Sequence, residues 1–590
     1  MEKPPPSPRR LRLPQAAGFL DRRALGLARR RAARLAQPPS IADPPEPQAF
    51  TDPGRARQIM AGRIRLGGDV IDLAGRSLWD ALPGPAALAA AQDFVWLDDL
   101  AALGGARARR LAQDWTDDWI DRFTGLRTRP RWHLWRSAPH CPPAVWGPAA
   151  TAPRLLRLID HAGFLTEGRD STRLATTIAL HAWFLDRRAR AASPGPARIT
   201  AWAALVRAGL LLPGLGLPLP LEALATECRQ TVDATGAIGS RVPEDLLDLF
   251  SLLIATAAAL TEADRTPPGP MLDAIARIAP LLRALRHADG GLPRLHGGDR
   301  GPAGRLDTAL AASGIRTRAT GGLQMGYARL SAGRTSVMLD AAPPPPGGRA
   351  QAATLSIELT CGRRPLIVSG GPGAAFGPEW AHASRATSAH STLSLADRSS
   401  AVVPAGADAL VDPPLRVICD SPGPARSLQV EAAHDGWTRS HGLTHARRLA
   451  LASDGRSLSG EDMLVTLTPA DRTTFDRATA GLGADFTLRF HLHPDVVALP
   501  DGDTIALALR SGEFWVFRHD GTARLSLEPS VYFDTARLVP RRSQQVVLSG
   551  RAMSYAVTVR WTFATARATP RGLRDLAADD SAVGPEDSPP

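Results

Sequence analysis

Histidines are concentrated in one part of this 590-residue sequence. Eight of the fourteen fall between residues 380 and 520, at positions 382, 390, 434, 441, 445, 491, 493 and 519. An imidazole has an ordinary pKa near 6.5, so it can accept or donate a proton at neutral pH, and it can also bind a metal ion. The sequence therefore predicts that its chemistry lies in this segment.

The most distinctive stretch is 384–395, which reads Ser-Arg-Ala-Thr-Ser-Ala-His-Ser-Thr-Leu-Ser-Leu and contains His390. The alternation at its end predicts that a loop enters a β-sheet next to His390. Asp397 follows shortly, and a His-Asp-Gly-Trp run begins at His434. Together these features resemble the signature of the heparinase II/III family: Arg-x-Thr-x-x-His-x-Thr-Leu, then an Asp, then His-Asp-Gly-aromatic.

The resemblance implies both a fold and an activity. Characterised members are polysaccharide lyases that cleave uronate glycans by β-elimination, in which the sugar carboxylate is neutralised, a base removes the C5 proton and an acid protonates the leaving oxygen. His390 matches the family's signature histidine, which transfers protons in some members and binds metal in others. We therefore predict a catalytic or metal role for His390, against the alternative of a hydrogen-bonded histidine at a strand start.

The resemblance also implies a structural metal in some members. His390, Asp397 and His434 form a carboxylate and two imidazoles that would suit zinc. Their separations of 7 and 37 residues follow no local metal-binding motif. Ordinary polar loop residues are the alternative.

Two arginines are predicted to contact the substrate. Arg241 lies in Gly-Ala-Ile-Gly-Ser-Arg-Val-Pro, which resembles a family element that usually has a histidine where this chain has Ile238. A guanidinium can hold a carboxylate by a bidentate contact, and an ion pair at a helix start is the alternative. Arg385, in the signature run itself, is the second predicted substrate contact.

The tyrosine and asparagine that characterised lyases use in their helical part have no counterpart here. The only tyrosines are Tyr327, Tyr532 and Tyr555, which lie outside the helical half. Histidines at 161, 181, 287 and 296 are possible substitutes. His296 has Arg294 before it and a Gly-Gly turn after it, so we predict that it is the most exposed of the four and a second catalytic residue.

Two further sets have structural alternatives. His445 and Arg447 alternate on a predicted strand, which favours a shared sheet face and a structural role. Glu461 and Asp462 could be the carboxylates of a glycan hydrolase, but adjacent strand residues point to opposite faces. Nine of the thirteen tryptophans lie in the first 202 residues, where core packing competes with a sugar-stacking cleft.

Composition limits the classes of partner. The net charge is +12, of which +8 lies in residues 1–35, so about +4 remains for the other 555 residues and no nucleic-acid partner is predicted. The cysteines, at 141, 228, 361 and 419, have no CxxC spacing. Neither a transmembrane run nor a secretory signal is evident.

Hydrophobic periodicity divides the chain into four parts. Residues 1–45 form a basic Pro/Arg-rich arm, either docked on the body or in contact with a membrane surface or polyanion. Residues 46–315 have helical periodicity in successive hairpins, 320–565 have about a dozen short alternating strands typical of a β-sandwich, and 566–590 form a tail predicted to be disordered. The predicted fold class is α+β multidomain, with an incomplete (α/α) toroid implied by the resemblance.

The function predicted from these features is a lyase that acts on an acidic, uronate-containing polysaccharide. The alternative is a non-catalytic glycan-binding or cell-envelope assembly protein on the same fold. The family implies the periplasm or cell envelope, and the missing export signal makes the cytoplasm the alternative. The sequence does not define an oligomeric state.

Overall fold

The computed structural model describes residues 13–34, 53–126, 144–212, 214–319, 321–406, 409–420, 428–567 and 575. The chain forms two compact units. The first comprises Met1–Leu66, Ile71–Cys228 and Ala255–Met271, and the second comprises Gly67–Val70, Arg229–Ile254 and Leu272–Pro590. The predicted domain boundary at 315–320 stays a prediction.

Helices dominate the chain up to residue 312. Their bounds, together with those of three later helices, are α1 Leu13–Ala32, α2 Pro53–Met60, α3 Leu78–Ala81, α4 Pro85–Ala91, α5 Val95–Leu103, α6 Gly105–Phe123, α7 Pro148–Asp160, α8 Ala162–Thr166, α9 Thr172–Arg188, α10 Pro196–Leu211, α11 Pro218–Thr231, α12 Pro243–Glu262, α13 Gly269–Leu285, α14 Arg305–Ala312, α15 Pro378–Ala383, α16 Thr438–His441 and α17 Pro469–Thr479.

Strands dominate the chain after residue 326. With two early strands, their bounds are β1 Arg63–Leu66, β2 Asp69–Asp72, β3 Tyr327–Ala332, β4 Thr335–Asp340, β5 Ile357–Cys361, β6 Arg364–Ile367, β7 Leu393–Leu395, β8 Val417–Asp420, β9 Gln429–Trp437, β10 Leu443–Leu451, β11 Ser457–Val465, β12 Ala484–His491, β13 Val497–Asp501, β14 Thr504–Ala508, β15 Phe514–His519, β16 Arg524–Tyr532, β17 Arg541–Ala552 and β18 Ala556–Thr565.

The first unit has a core rich in aromatic rings. In α6, Ala108, Ala112, Trp115 and Trp119 are buried and spaced three or four residues apart, so they form one apolar stripe. All seven tryptophans that the structure describes among the first 202 residues are less than 8% exposed. The core interpretation is confirmed for those seven, while Trp132 and Trp135 lie outside the described residues.

The described part of the N-terminal arm is α1. Ala24, Leu25 and Ala28 of this helix are buried, and Asp21 pairs with Arg188 of α9 at 2.6 Å. Phe19 on the same helix is 58% exposed. The docked alternative therefore holds for α1, while residues 1–12 and 35–45 lie outside the described chain.

In the described residues of the second unit, the strands from β3 onward form three antiparallel sheets. The largest has the order β13-β14-β15-β18-β11-β10-β9-β8, and two four-stranded sheets have the orders β16-β17-β12-β7 and β3-β4-β5-β6. The inward side chains of these strands share one hydrophobic core. Around Phe490, the rings of Phe517, Trp561 and Phe563 lie at centroid distances between 4.6 and 5.5 Å.

The predicted fold class, α+β with helical hairpins followed by a large antiparallel β-sandwich, is confirmed. Helix α17, inside the region predicted as strands, was missed. Thr468 and Asp471 form a capping box at its start, and this local signal outweighs the surrounding strand pattern. Among the described helices, none combines the length and apolar character needed to cross a bilayer.

Candidate functional site

His390 lies where the sequence predicts, between a short helical turn and a strand. A 3-10 turn over Thr387–Ala389 ends at His390, whose backbone is extended, and β7 begins three residues later. This turn follows α15 and its C-cap Ser384. The loop thus directs the imidazole back toward the end of α15.

Both ring nitrogens of His390 are bonded within the protein. The Nε2–H group donates to the carbonyl oxygen of Ser384 at 3.1 Å, so Nδ1 accepts from the hydroxyl of Ser369 at 2.5 Å. The side chain is 0% exposed. In this arrangement the imidazole has no nitrogen left for a substrate or a metal ion.

The surroundings of His390 keep its imidazole neutral. Burial, and to a lesser extent the nearby His491 and His296, lower its pKa to about 3, against the opposing effects of the Ser384 carbonyl and Asp340. His491 is itself bonded, to Ser530 at 2.7 Å and to the Ser388 carbonyl at 3.0 Å. His390 therefore lies in a polar but closed interior.

His296 is not the exposed residue that the sequence predicted, because its side chain is 0% exposed. Its Nδ1 accepts from the backbone N–H of Gln351 at 3.4 Å, and its Nε2 is 3.2 Å from Asp340 Oδ2. These two atoms lie at ion-pair distance but are not aligned for a hydrogen bond. Histidines at 161, 181 and 287 are also buried, so the prediction that His296 is the most exposed of the four is wrong.

The guanidinium of Arg241 is bonded to acceptor groups of the protein itself. Its guanidinium pairs with Asp340 and also donates to the carbonyls of Met325 at 3.0 Å and Pro343 at 2.5 Å. Burial alone would raise the pKa of Asp340, but Arg241 and His296 lower it. The ion-pair alternative for Arg241 is the one that the structure shows.

Tyr327 completes this cluster. Its hydroxyl donates to the carbonyl of Arg241 at 2.6 Å, and its ring lies 5.0 Å from that guanidinium. Burial raises its pKa well above the ordinary value. Tyr327 is 0% exposed, so it braces Arg241 and presents no hydroxyl to solvent.

Arg385 also has a structural environment. It is 4% exposed, and it donates to the carbonyls of Ala350 at 3.0 Å and Gly406 at 3.1 Å. Guanidinium–carbonyl bonds of this kind fix loops. The prediction that Arg385 contacts substrate receives no support from this geometry.

The predicted zinc ligands do not form a metal site. Asp397 is exposed, His390 is bonded at both nitrogens, and His434 accepts from the Gly436 N–H at 3.0 Å while its Nε2 faces His445 at 3.3 Å. Across the described residues, no three His, Cys, Asp or Glu side chains are grouped to hold a metal ion. Zinc binding thus stays an untested prediction that these residues do not fit.

His445 and Arg447 share one sheet face, as predicted. Both bond to Asp462 Oδ1, at 2.7 and 2.8 Å, and Trp561 donates to Asp462 Oδ2 at 2.7 Å. Burial alone would raise the pKa of Asp462, but Arg447 and His445 lower it strongly. Asp462 is 1% exposed while its neighbour Glu461 faces outward, which removes the carboxylate pair needed by a hydrolase.

Sequence reasoning missed a pair near the end of β16. The rings of Tyr532 and His493 lie 5.1 Å apart, edge to face, and the Arg294 guanidinium is 3.8 Å from the Tyr532 ring. The two residues are 5% and 7% exposed. Within the described chain, the Tyr532 hydroxyl and His493 Nε2 have no hydrogen-bond partner. The run His491-Leu-His493 was the available signal, but nothing in it indicates a tyrosine 39 residues away.

Neither ring of this pair is charged at neutral pH. Burial lowers the pKa of His493 to about 3. Burial also raises the pKa of Tyr532 to about 12, against the opposing effect of Arg294. The pair can therefore offer a neutral acceptor nitrogen and a neutral hydroxyl.

Comparison with known proteins agrees with this architecture. The heparinase II/III-like, C-terminal domain family matches residues 315–562. FtsZ-localized protein C of Caulobacter vibrioides (strain NA1000 / CB15N) is 30% identical over 574 residues, covering 93% of this chain and 94% of that protein. The chain belongs to the heparinase II/III-like family.

Solved structures show the same fold. Heparinase III is similar with a TM-score of 0.60 and 12% identity, over 93% of this chain and 90% of that one. Heparan sulfate lyase HepC of Pedobacter heparinus, in a mutant form, is similar with a TM-score of 0.53 and 15% identity, over 94% and 90% of the two chains. The fold is that of a polysaccharide lyase.

Proposed function

We propose that this chain is a non-catalytic member of its family, a glycan-binding or envelope-assembly protein that acts where FtsZ is located. The observation that carries the proposal is the environment of His390. Proton transfer requires a nitrogen that can reach the substrate, whereas both nitrogens of this buried imidazole are bonded to Ser369 and Ser384.

The other residues predicted for the chemistry support the same conclusion. Arg241, Arg385 and His296 are engaged by carbonyl or carboxylate groups of the chain, so each stabilises the fold. The similarity to a full-length protein named for its localisation with FtsZ supports an assembly role at the same place. The proposed location is the cell envelope or periplasm, with the cytoplasm as the alternative.

Two measurements test the proposal together. The purified chain is incubated with alginate, heparan sulfate and hyaluronan, and the ultraviolet absorbance of an unsaturated uronate product is followed. It is also sedimented with polymers of the source organism's FtsZ, with unpolymerised FtsZ as the control. We expect no unsaturated product and cosedimentation with polymer only. Product formation, or no cosedimentation, would overturn the proposal.

A second candidate function rests on Tyr532 and His493. In the described structure the Tyr532 hydroxyl and the His493 Nε2 have no hydrogen-bond partner, while His493 Nδ1 accepts from the Asp495 backbone N–H at 3.2 Å. A hydroxyl and an imidazole nitrogen next to Arg294 are the groups that β-elimination of an acidic polysaccharide needs. If the chain is a lyase, Tyr532→Phe should abolish product formation while His390→Gln retains it. Absence of product from the unmodified chain, or loss of product in His390→Gln, counts against this candidate.

A further inference from the structure

A cavity of about 360 Å³ lies on the outward face of the eight-stranded sheet in the second unit. Two rows of side chains cross this face in register. The outer row is Glu431, Arg448, Glu461 and Arg560 on β9, β10, β11 and β18, and the inner row is Ala450, Ser459, Thr562 and Arg518 on β10, β11, β18 and β15.

The two rows differ in side-chain length, and this difference forms the cavity. The long charged side chains of the outer row make one wall, and the small side chains of Ala450, Ser459 and Thr562 make the floor. Neighbouring strands lie about 4.8 Å apart, so the floor spans about 10 Å before it reaches Arg518. A cavity of this volume is at the lower end of the range for small-molecule sites.

Most charges around the cavity are already paired. Arg448 pairs with Glu431, and Arg560 pairs with Glu461 at 3.0 Å. Asp520 accepts from the backbone N–H groups of Thr522 and Arg560 at 3.0 and 2.9 Å. Arg518 is exposed and has no ion-pair partner in the described structure. Its guanidinium is therefore available to an anion.

Hydroxyl groups lie beside this arginine. Ser459 faces Thr562 across β11 and β18, and Thr562 faces Arg518 across β18 and β15. Within the described residues, neither hydroxyl has a hydrogen-bond partner. The cavity thus combines one available cation with two available hydroxyls.

The charge of the lining limits the ligand. Of the three arginines that line the cavity, Arg448 and Arg560 already pair with Glu431 and Glu461. Arg518 therefore carries the lining charge that no carboxylate pairs with in the described structure, and the carboxylates of Glu461 and Asp520 lie close by. A dianion would face the two carboxylates without compensation, whereas a monoanion balances Arg518. A ligand that also carries hydroxyls could bond to Ser459 and Thr562.

We propose that this cavity binds a small, singly charged, hydroxyl-rich anion. A sugar acid and a polyol phosphodiester, such as a lipid headgroup, share this chemistry. Arg518 holds the anionic oxygens through parallel N–H···O bonds, and Ser459 and Thr562 bind the hydroxyls. The site lies on the outward face of the sheet, apart from His390, and it does not depend on the association with FtsZ.

The test is saturation-transfer NMR and calorimetric titration of the full chain with four probes. Glucuronate and glycerophosphoglycerol carry one charge and several hydroxyls, glucose lacks the charge, and butyrate lacks the hydroxyls. We expect at least one of the first two to bind about tenfold more tightly than glucose and butyrate. Binding of glucuronate would identify the ligand class as a sugar acid, and binding of glycerophosphoglycerol would identify it as a polyol phosphodiester.

Variants then locate the binding. Arg518→Ala should lower the affinity for the probe that binds about tenfold. Thr562→Val should reduce the difference in affinity between that probe and butyrate. Arg524→Ala, another exposed arginine without an ion-pair partner in the described structure, controls for net charge. A thermal melt of each variant controls for folding.

Several outcomes would overturn the proposal. One is that neither hydroxyl-rich anion binds. Another is that butyrate or glucose binds as tightly as glucuronate or glycerophosphoglycerol. A third is that Arg524→Ala weakens binding as much as Arg518→Ala, which would mean that overall charge and not this cavity attracts the ligand.

Discussion

At the scale of single residues, hydrogen bonding and not residue type determines what an imidazole can do. His390 has the family's signature position, yet Ser369 donates to one nitrogen and the Ser384 carbonyl accepts from the other. In the described structure His493 Nε2 has no hydrogen-bond partner, and the ring contacts Tyr532 edge to face. The buried neutral ring of His390 makes one hydrogen bond to the C-cap of α15 and one to Ser369, in the segment that follows β6, so His390 connects these two parts of the fold.

The first prediction concerns replacement of this connector. His390→Ala leaves two buried polar groups without partners and a cavity, so we expect the free energy of unfolding to fall by about 2–4 kcal/mol. His390→Gln can present an amide oxygen to Ser369 and an amide N–H to Ser384, so its free energy of unfolding should fall clearly less than that of His390→Ala. Denaturant titration measures both, and equal stability of the alanine variant and the unmodified chain would contradict a structural role.

The second prediction concerns the buried charge of Asp340. Arg241→Met leaves this carboxylate, which is 0% exposed, without its strongest partner, and breaking a buried ion pair costs about 3–5 kcal/mol. Arg241→Met combined with Asp340→Leu should recover part of that loss, since both charges are then gone. Arg316→Met, at an exposed arginine, is the matched control and should change stability little. A double variant as unstable as the single one would contradict this assignment.

The signature run could be predicted at this scale, and so could the sheet face shared by His445 and Arg447. Burial could not be predicted, because a sequence does not show which acceptors surround a side chain. Arg241 donates to the carbonyls of residues 325 and 343, which lie 84 and 102 positions away in the sequence. Tyr532 and His493 were missed for the same reason.

At the scale of secondary-structure elements, a glycine adapts one strand to its neighbour. Gly460 on β11 lies opposite Trp561 on β18, and a Cβ atom at this glycine would lie 2.0 Å from the tryptophan ring. The indole N–H is at the same time bonded to Asp462. The ring therefore cannot move aside without losing that bond.

The third prediction follows from this contact. Gly460→Ala forces overpacking against Trp561 and should lower the free energy of unfolding by about 1–3 kcal/mol. Gly239→Ala, where a Cβ atom would meet nothing within 4 Å, is the control and should be close to neutral. Thermal melting of both variants tests this prediction. Equal melting temperatures for Gly460→Ala and Gly239→Ala would contradict the tight contact between Gly460 and Trp561.

Periodicity predicted the long elements well at this scale. Helix α6, which runs over Gly105–Phe123, lies in the 46–315 region predicted to be helical, and its buried positions repeat at helical spacing. Helix α17 was missed because it lies among strands and depends on a cap at Thr468. Local hydrogen bonds of this kind carry little hydrophobic signal.

At the scale of the whole molecule, many histidines are buried in neutral form. Burial lowers the pKa to about 3 for His390, to about 4 for His491 and to about 3 for His493. It also lowers the pKa of His181 and His434 well below the ordinary value. An unfolded chain would bind protons at these residues near pH 6.5, whereas the folded chain would not.

The fourth prediction is a marked sensitivity to acid. Because the unfolded state binds more protons than the folded state between pH 6.5 and about 4, stability should fall as the pH falls through this window. Each such imidazole adds about 1.4 kcal/mol per pH unit to the slope of the free energy of unfolding against pH. Urea denaturation from pH 8 to pH 4 gives the slope of the free energy of unfolding against pH, which reports how many more protons the unfolded state binds. In His390→Gln this number should be smaller by about one. A flat profile above pH 5 would contradict the burial of these rings.

The central claim is that the signature imidazole of this lyase fold is a structural group. Nitrogen-15 NMR of the His390 ring, assigned by loss of its signals in His390→Gln, tests it most directly. We predict a neutral ring protonated at Nε2 that does not titrate above pH 4. A ring that titrates near pH 6.5, or whose signals shift when an acidic glycan is added, would contradict the claim.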